Sequence, residues 1–376
     1  MDLAVILTYR CDSRCSMCNI WQHPTDPTYE VSLDDLAKLP SGFDYLNLSG
    51  GEPTLRSDLG ELCDLLRPKA MKLEISTNGL HVDRIVPIVK KYPDLKVRIS
   101  VDGIGELNNM IRGERGGYDR KVDSMKKLID AGGCDLGFAM TFQDENVDQV
   151  VDLYRLSRSL GVEFATSAIH NGFQFHKNDN YVYNRLSVAR KAENLVTEML
   201  RSWSIKGWFR AYLNLGLIAK ILGHDRLMPC TAATDFIFVD PWADVYACNV
   251  RNDLLVGNIR KQTWPDIMGS EGLRRVRDQV AHCTQNCWMV ASAKTAMRNK
   301  HFAKLPKVGV LSWVVLNKLK VMAGLPVNFD RYVDYSTIHE DPRIVQRTSY
   351  LENPPKRKVQ PAESLHYTQF DGFDNK

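Results

Sequence analysis

Apolar residues recur with two different spacings between residues 1 and 170, one typical of strands and one typical of helices. Six short runs of apolar and β-branched residues predict strands at 3–8, 44–49, 72–77, 97–102, 135–140 and 162–168. Apolar residues at helical spacing lie between them, at 32–39, 57–67, 82–92, 119–132 and 146–160, with Ser32 as the cap of the first helix. Strands that alternate with amphipathic helices predict a parallel sheet with right-handed crossovers, either doubly wound or curled into a barrel.

Glycines and polar residues collect where the predicted strands end. These residues are Gly50, Gly51, Glu52, Ser76, Asn78 and Ser100. In parallel α/β folds the loops beyond the carboxyl ends of the strands carry ligands, so a binding site is expected at this edge. The two glycines would let a ligand approach the backbone, and Glu52 could accept a hydrogen bond from a bound ammonium group. The same string of residues can also form a simple tight turn.

Three cysteines, Cys11, Cys15 and Cys18, follow the first predicted strand. An odd number of thiols without a signal peptide argues against disulfides. A closed zinc site needs four ligands, and no second Cys-x2-Cys pair lies nearby. An iron–sulfur cluster is the remaining common use of clustered thiolates, and three cysteines would leave one iron of a four-iron cluster open. Three unrelated thiols are the alternative.

The Cys11-x3-Cys15-x2-Cys18 loop after an apolar run resembles the signature of the radical S-adenosylmethionine (SAM) superfamily. The resemblance implies an α/β fold, a partial (β/α)6 TIM-like barrel, with the active site at the carboxyl ends of its strands. It implies a [4Fe–4S] cluster whose open iron is chelated by SAM. Residues 50–53 resemble the motif that contacts the amino group of SAM in this superfamily.

Further positions are carried over from the family as SAM contacts. Ser100 and Arg112 resemble the pair that binds the ribose and the carboxylate, and the planar guanidinium of Arg112 suits a carboxylate. A solvated charge in the glycine-rich stretch 111–117 is the alternative for Arg112. Met17 stands where the family usually has an aromatic residue near the adenine, so altered adenine packing is expected. Ser76 and Asn78 are further candidates for cofactor binding.

A second group of cysteines comes late in the chain, at Cys230, Cys248, Cys283 and Cys287. Two β-type runs around a turn at 241–244 predict a small hairpin that holds two of them, and the other two return after a predicted helix. The region resembles the twitch domain, a shortened SPASM domain, and four thiolates imply one auxiliary [4Fe–4S] cluster. A structural zinc site is the alternative. The remaining thiols, Cys63 and Cys134, are expected to be structural.

The expected domains are a barrel with a helical extension at 1–222, a small α+β auxiliary cluster domain at 223–300, and a C-terminal helix with a loose tail at 301–376. His170, Asn171 and His176 follow the sixth strand and either line the substrate pocket or lie in a solvated loop. A helical stretch is expected from about 188 to 222. The apolar segment 305–329 predicts a helix packed on the barrel, with an interfacial membrane contact as the alternative.

Composition excludes several classes of function. The chain has 376 residues, 44% of them apolar, which supports a sizeable core. Its net charge of +4, with 45 acidic residues interspersed among the basic ones, argues against nucleic acid as a partner. No long uncharged apolar stretch predicts a membrane span. Free thiols without an export signal predict a reducing cytoplasm, with the protein peripheral to the membrane at most.

The resemblance implies an enzyme that cleaves SAM reductively to a 5′-deoxyadenosyl radical, which abstracts hydrogen from an unactivated carbon. A flavodoxin or ferredoxin is expected to supply the electron. A sugar, aminocyclitol or lipid-linked glycan is the preferred substrate class. A peptide maturase of the SPASM type is the alternative, although those enzymes often carry an N-terminal leader-binding domain and the first strand here starts at residue 3. A protein that only holds an iron–sulfur cluster or zinc is the alternative outside enzymes. Asn249 disfavours a sulfatase-maturing role, since relatives of that type have Asp there.

Overall fold

Strands from both halves of the chain form one sheet in this computed structural model, which describes residues 1–285, 287–298, 306–330 and 333–336. The strands are β1 (Asp2–Ile6), β2 (Tyr45–Ser49), β3 (Leu73–Thr77), β4 (Lys96–Ser100), β5 (Asp135–Phe142), β6 (Glu163–Ala168), β7 (Phe236–Val239), β8 (Asp244–Tyr246) and β9 (Leu255–Asn258). Their order is β6-β5-β4-β3-β2-β1-β7-β8-β9. All six predicted strands of the first half are therefore present.

The sheet runs parallel from β6 through β1 to β7 and then turns antiparallel at β8 and β9. Leu3 of β1 lies opposite Leu46 on one side and opposite Ile237 on the other. Within the described residues β6 pairs with β5 and with no other strand, so the barrel is partial and open, as expected. The sheet also continues across the predicted domain boundary at residue 222.

Helices cover the faces of the sheet and extend beyond it. They are α1 (Leu33–Ala37), α2 (Leu59–Leu66), α3 (Val86–Lys91), α4 (Glu106–Arg112), α5 (Gly117–Asp130), α6 (Val150–Ser159), α7 (Arg185–Arg201), α8 (Ile205–Leu222), α9 (Trp264–Gly269), α10 (Glu271–Ala281), α11 (Val290–Arg298) and α12 (Pro306–Met322). Ser32 caps α1 through a reciprocal pair of hydrogen bonds with Asp35, which confirms the predicted cap.

Two segments show detail beyond the sequence predictions. The helical stretch expected from 188 to 222 is present as two helices, α7 and α8, because Ser202 leaves the helix in an extended conformation and the Ser204 side chain starts a new one by accepting from Gly207 N. Arg112 is not the solvated charge of the alternative interpretation: it is buried at the end of α4, and Gly113 terminates that helix with a φ of 63°.

The structure also places the two structural cysteines and the C-terminal segment. Cys63 is fully buried in α2, as expected, while Cys134 is exposed and its Sγ donates to the Pro93 carbonyl 3.0 Å away. One face of α12 packs on α7 and α8, which confirms the packed-helix prediction for that face. The predicted loose tail lies outside the described residues. No helix within the described part of the chain is both long and apolar enough to cross a lipid bilayer.

Candidate functional site

A cavity of about 820 Å³, partly open to solvent, lies at the carboxyl ends of the parallel strands. The lining includes Cys11, Cys15, Met17, Cys18, Gly50, Gly51, Ser76, Asn78, Ser100 and Arg112. The structure therefore brings together every cavity residue predicted from the sequence in the first half of the chain except Glu52.

The loop that carries the three cysteines is held by the end of α4. Arg14 N donates to the Arg112 carbonyl at 2.9 Å, and Ser16 N donates to the Ile111 carbonyl at 2.8 Å. Ser13 Oγ donates to Glu114 Oε1 at 2.5 Å. These contacts brace the backbone between Cys11 and Cys18, and such support positions the ligands of a metal site.

Burial governs the chemistry of the three thiols. Burial raises the pKa of the Cys18 thiol to about 12, and it raises the pKa values of Cys11 and Cys15 as well. Buried thiols hold their protons firmly, whereas the thiolate is the form that binds a metal. Loading iron on this loop must therefore release protons, so assembly of the site is favoured by higher pH.

Glu52 is buried behind the cavity wall. Its carboxylate is completely buried and accepts hydrogen bonds from Thr54 N (3.0 Å), Thr54 Oγ1 (2.6 Å), Thr77 Oγ1 (2.8 Å) and Asn78 N (2.5 Å). The Glu52 side chain thus ties the loop after β2 to the end of β3 behind the cavity wall. The Glu52 carboxylate lies outside the cavity lining, and its contact with a bound ammonium group stays a prediction.

Gly50 and Gly51 lie against the chain that enters the cysteine loop. Gly51 N donates to the Thr8 carbonyl at 2.7 Å. A Cβ atom on Gly51 would stand 2.2 Å from the carbonyl oxygen of Arg10. Gly50 has a φ of 147°, which disfavours any other residue, and a Cβ there would stand 2.4 Å from the Thr8 carbonyl oxygen. The double glycine is therefore needed for backbone packing beside the cavity.

We expect Gly51→Ala to destabilise the protein by about 1–3 kcal/mol, because the new methyl group meets backbone that cannot rotate away. The displaced backbone leads directly into Cys11, so iron content and SAM binding should fall together. Chemical denaturation, iron analysis and SAM titration measure these effects. Gly60→Ala in α2 is the matched control, since a Cβ there meets nothing within 4 Å. Equal stability of the two variants would contradict the packing argument.

A buried network of charges supports Arg112. Arg112 Nη1 lies 2.6 Å from Asp102 Oδ2 and its Nε lies 3.3 Å from Glu114 Oε1. Lys121 Nζ lies 2.6 Å from the other oxygen of Glu114. Burial lowers the pKa of the fully buried Lys121 to about 8, so it remains mostly protonated at neutral pH. The four side chains form two cation–anion pairs, which stabilises otherwise costly buried charges.

Glu114 and Lys121 were missed by sequence reasoning. The available signal was the helical spacing of Lys121, Ser124, Met125 and Leu128, which puts a lysine on the buried stripe of α5. A lysine on a buried stripe is rarely left unpaired, so it indicates a buried anion nearby.

The loop after β6 covers one side of the cavity. His170 lines the cavity, with Nδ1 3.2 Å from the Ala168 carbonyl, and burial lowers its pKa to about 3, so it is neutral. Asn180 Nδ2 donates to the Met17 carbonyl at 2.9 Å and thereby fastens this loop to the cysteine loop. His176 is outside the lining and stacks on His23. Asn171 is also outside it and accepts a hydrogen bond from Asn180 N.

The four later cysteines lie at the other side of this loop. Burial raises the pKa of Cys248 to about 11, and the nearby thiolates of Cys287 and Cys230 raise it further. Cys287 is influenced in the same way by Cys230 and Cys283, so the four thiols share one neighbourhood. Among the described residues, no three Cys, His, Asp or Glu side chains converge closely enough to hold a single metal ion.

Models of two known protein families match the regions that carry the two groups of cysteines. The model of the radical SAM superfamily matches residues 5–157, which carry the cysteine loop, the double glycine and the strand ends that line the cavity. The chain belongs to the radical SAM superfamily. A second model, an iron–sulfur cluster-binding domain of the SPASM type, matches residues 230–288 and includes all four later cysteines. The chain is thus a radical SAM enzyme with a C-terminal SPASM-like cluster domain.

Individual relatives span both parts of this radical SAM enzyme. It is 28% identical over 322 residues to the mycofactocin maturase MftC of Mycolicibacterium smegmatis, covering 81% of this chain and 79% of the relative. It is 26% identical over 318 residues to the pre-heme d1 synthase of Dinoroseobacter shibae, covering 74% and 76%. The solved structure of anSMEcpe with bound AdoMet and the Cp18Cys peptide has a TM-score of 0.56 at 15% identity, covering 86% of this chain and 99% of that one. This last likeness shows a shared fold.

The two family matches imply three cofactors for this enzyme: a SAM-binding [4Fe–4S] cluster, SAM and an auxiliary cluster. The cavity suits the first two, because three thiols, the backbone of two glycines and the Arg112 guanidinium line it together. When bound, the cluster and SAM supply a 5′-deoxyadenosyl radical that abstracts hydrogen. The protein's own residues must orient the target carbon in the cavity and exclude water from it.

Proposed function

We propose that this enzyme is a peptide maturase that oxidises a carbon–hydrogen bond of its substrate. The observation that carries the proposal is the similarity to a maturase over 81% of this chain, through both the cavity and the auxiliary domain. A protein of the same fold binds a peptide together with AdoMet, which adds support. The relatives described above are not named for sugar substrates. We therefore favour the peptide alternative over the carbohydrate substrate class that the sequence suggested.

Residue roles belong to the same proposal. Cys11, Cys15 and Cys18 would hold the SAM-binding cluster, and the backbone of Gly50 and Gly51 would face the amino group of SAM. Ser100 and Arg112 would hold the ribose and the carboxylate, with Ser76 and Asn78 in the adjacent wall and Met17 beside the adenine. Glu52 acts through the loop that it braces. A flavodoxin or ferredoxin would supply the electron.

The loop after β6 would meet the substrate between the two cysteine groups. Its residue His170 faces the cavity, and a Cβ on Gly172 would lie 3.1 Å from the carbonyl oxygen of Asn249, beside Cys248. A substrate seated against this loop is close to both groups. Such a position suits net oxidation, in which the auxiliary cluster, proposed at Cys230, Cys248, Cys283 and Cys287, accepts the second electron.

The test uses the anaerobically reconstituted enzyme with SAM, dithionite and short precursor peptides encoded beside its gene. A peptide that loses two hydrogens by mass spectrometry, with one 5′-deoxyadenosine formed per product, is expected. The variant Cys283→Ala/Cys287→Ala should still form some 5′-deoxyadenosine but no product. Its SAM site is intact, while the auxiliary cluster that is proposed to accept the second electron is lost. Consumption of a tetrapyrrole or sugar, with every peptide unchanged, would overturn the peptide proposal.

A further inference from the structure

Helix α12 is apolar on two opposite faces, and only one of them is covered. Trp313 packs edge-on against Tyr212 of α8, with ring centroids 5.6 Å apart, and Val310 and Val314 are buried beside it. The opposite face carries Leu311, Val315, Leu316, Leu319 and Met322, each between 43% and 57% exposed. A helix that is apolar all round is normally buried all round, so this outer face indicates a binding surface.

A second segment adds apolar surface beside it. Trp203 is 78% exposed and Ile205 is 65% exposed, both in or next to the turn between α7 and α8. Lys318 of α12 joins the two segments, since its Nζ lies 4.5 Å from the Trp203 ring centroid and donates to the Ser202 carbonyl at 3.0 Å. The outer face of α12 with Trp203 and Ile205 is called the apolar patch below.

Basic residues accompany the apolar patch along the chain. Helix α12 contains no Asp or Glu, its basic residues are Lys307, Lys318 and Lys320, and Arg201 and Lys206 flank Trp203 and Ile205 in the sequence. An apolar helix face flanked by basic residues and by an exposed tryptophan is typical of binding at a membrane interface. Two copies of the chain joined through the patch would bring these positive charges together, which disfavours a homodimer there.

We propose that the apolar patch docks this enzyme on the surface of an anionic lipid bilayer. The patch is remote from the cavity, because Lys206 beside it pairs with Glu163 at the amino end of β6, at 3.2 Å, while the cavity lies at the carboxyl ends of the strands. Docking through the patch therefore leaves the mouth of the cavity uncovered, so that it stays open to a water-soluble substrate. The proposal does not depend on which substrate that is.

Co-sedimentation of the full reconstituted enzyme with vesicles tests the proposal. Binding is expected to vesicles of phosphatidylcholine and phosphatidylglycerol in equal amounts, weaker binding to phosphatidylcholine alone, and weaker binding again at high salt. Leu316→Gln/Leu319→Gln should bind the anionic vesicles at least about ten-fold more weakly, because it removes two inserted side chains. Its iron content and 5′-deoxyadenosine formation should be unchanged, since both positions are exposed and far from the cavity.

Met71→Gln is the matched control. Met71 is 70% exposed but lies before β3, away from the patch, so its replacement should leave vesicle binding unaltered. Failure of the unaltered enzyme to sediment with anionic vesicles would overturn the proposal. So would equal binding by the double variant, or a dimer in sedimentation equilibrium that Leu316→Gln/Leu319→Gln dissociates, which would assign the patch to a second copy of the chain.

Discussion

Replacing Cys11, Cys15 and Cys18 together by alanine is expected to abolish reductive cleavage of SAM. A cluster held by three cysteines has one iron left for SAM, whereas four cysteines fully ligate the auxiliary cluster. The iron content should accordingly fall from about eight to about four per chain, with a cluster signal still visible by spectroscopy. Quantifying 5′-deoxyadenosine under dithionite, together with iron, measures both effects.

The control for the triple variant is Cys134→Ala. Cys134 is exposed at the amino end of β5, far from both cysteine groups, so its loss should change neither iron content nor SAM cleavage. Continued reductive cleavage of SAM by the triple variant would contradict the assignment of the cavity. Four irons and one zinc in the unaltered protein would instead contradict the auxiliary cluster at the later cysteines.

Lys121→Met is expected to destabilise the protein by about 3–5 kcal/mol, because it removes the cation that pairs with one oxygen of the buried Glu114. Methionine matches the lysine stem in size, so the loss arises from charge rather than from a cavity. Glu114 also binds Ser13 of the cysteine loop, so iron loading should become less complete. Chemical denaturation and iron analysis of the purified variant report the two effects.

Lys126→Met provides the comparison on the same helix. Lys126 is exposed and pairs only with the exposed Asp123 at 3.5 Å, so its replacement should cost less than about 1 kcal/mol. Adding Glu114→Gln to Lys121→Met should recover part of the lost stability, since it removes the buried charge left unpaired. Equal effects of Lys121→Met and Lys126→Met would show that the buried pair contributes little.

Local patterns in the sequence predicted the parts of the fold that local physics determines. The six strands of the first half follow from apolar runs, and the cysteine loop follows from the spacing of three thiols. Helix α4 was missed because its sequence, ELNNMIR, has a weak apolar period between two glycines. The pairing of β1 with β7 was missed because a strand's own residues do not specify a neighbour so distant in sequence.

In the candidate site, too, some features could be predicted from local sequence and others depend on contacts between distant residues. The types of residue at the strand ends were sufficient to predict which edge of the sheet carries the cavity. The direction of the Glu52 side chain was not predictable, because it depends on donors from Thr54, Thr77 and Asn78 that meet only in the folded chain. Likewise Glu114 and Lys121 acquire their importance from contact with each other and with Arg112, which no local pattern encodes.

The pairing of β1 with both β2 and β7 has a consequence for synthesis on the ribosome. Asp2 of β1 lies opposite Phe236 of β7. The first strand is therefore synthesised about 230 residues before the strand with which it pairs. At translation rates of roughly 5–20 residues per second, this delay lasts roughly ten to fifty seconds. During this interval the strand that leads into the cysteine loop keeps one edge open, which invites pairing with other nascent chains. Slower translation therefore lengthens the period during which this edge of β1 stays unpaired.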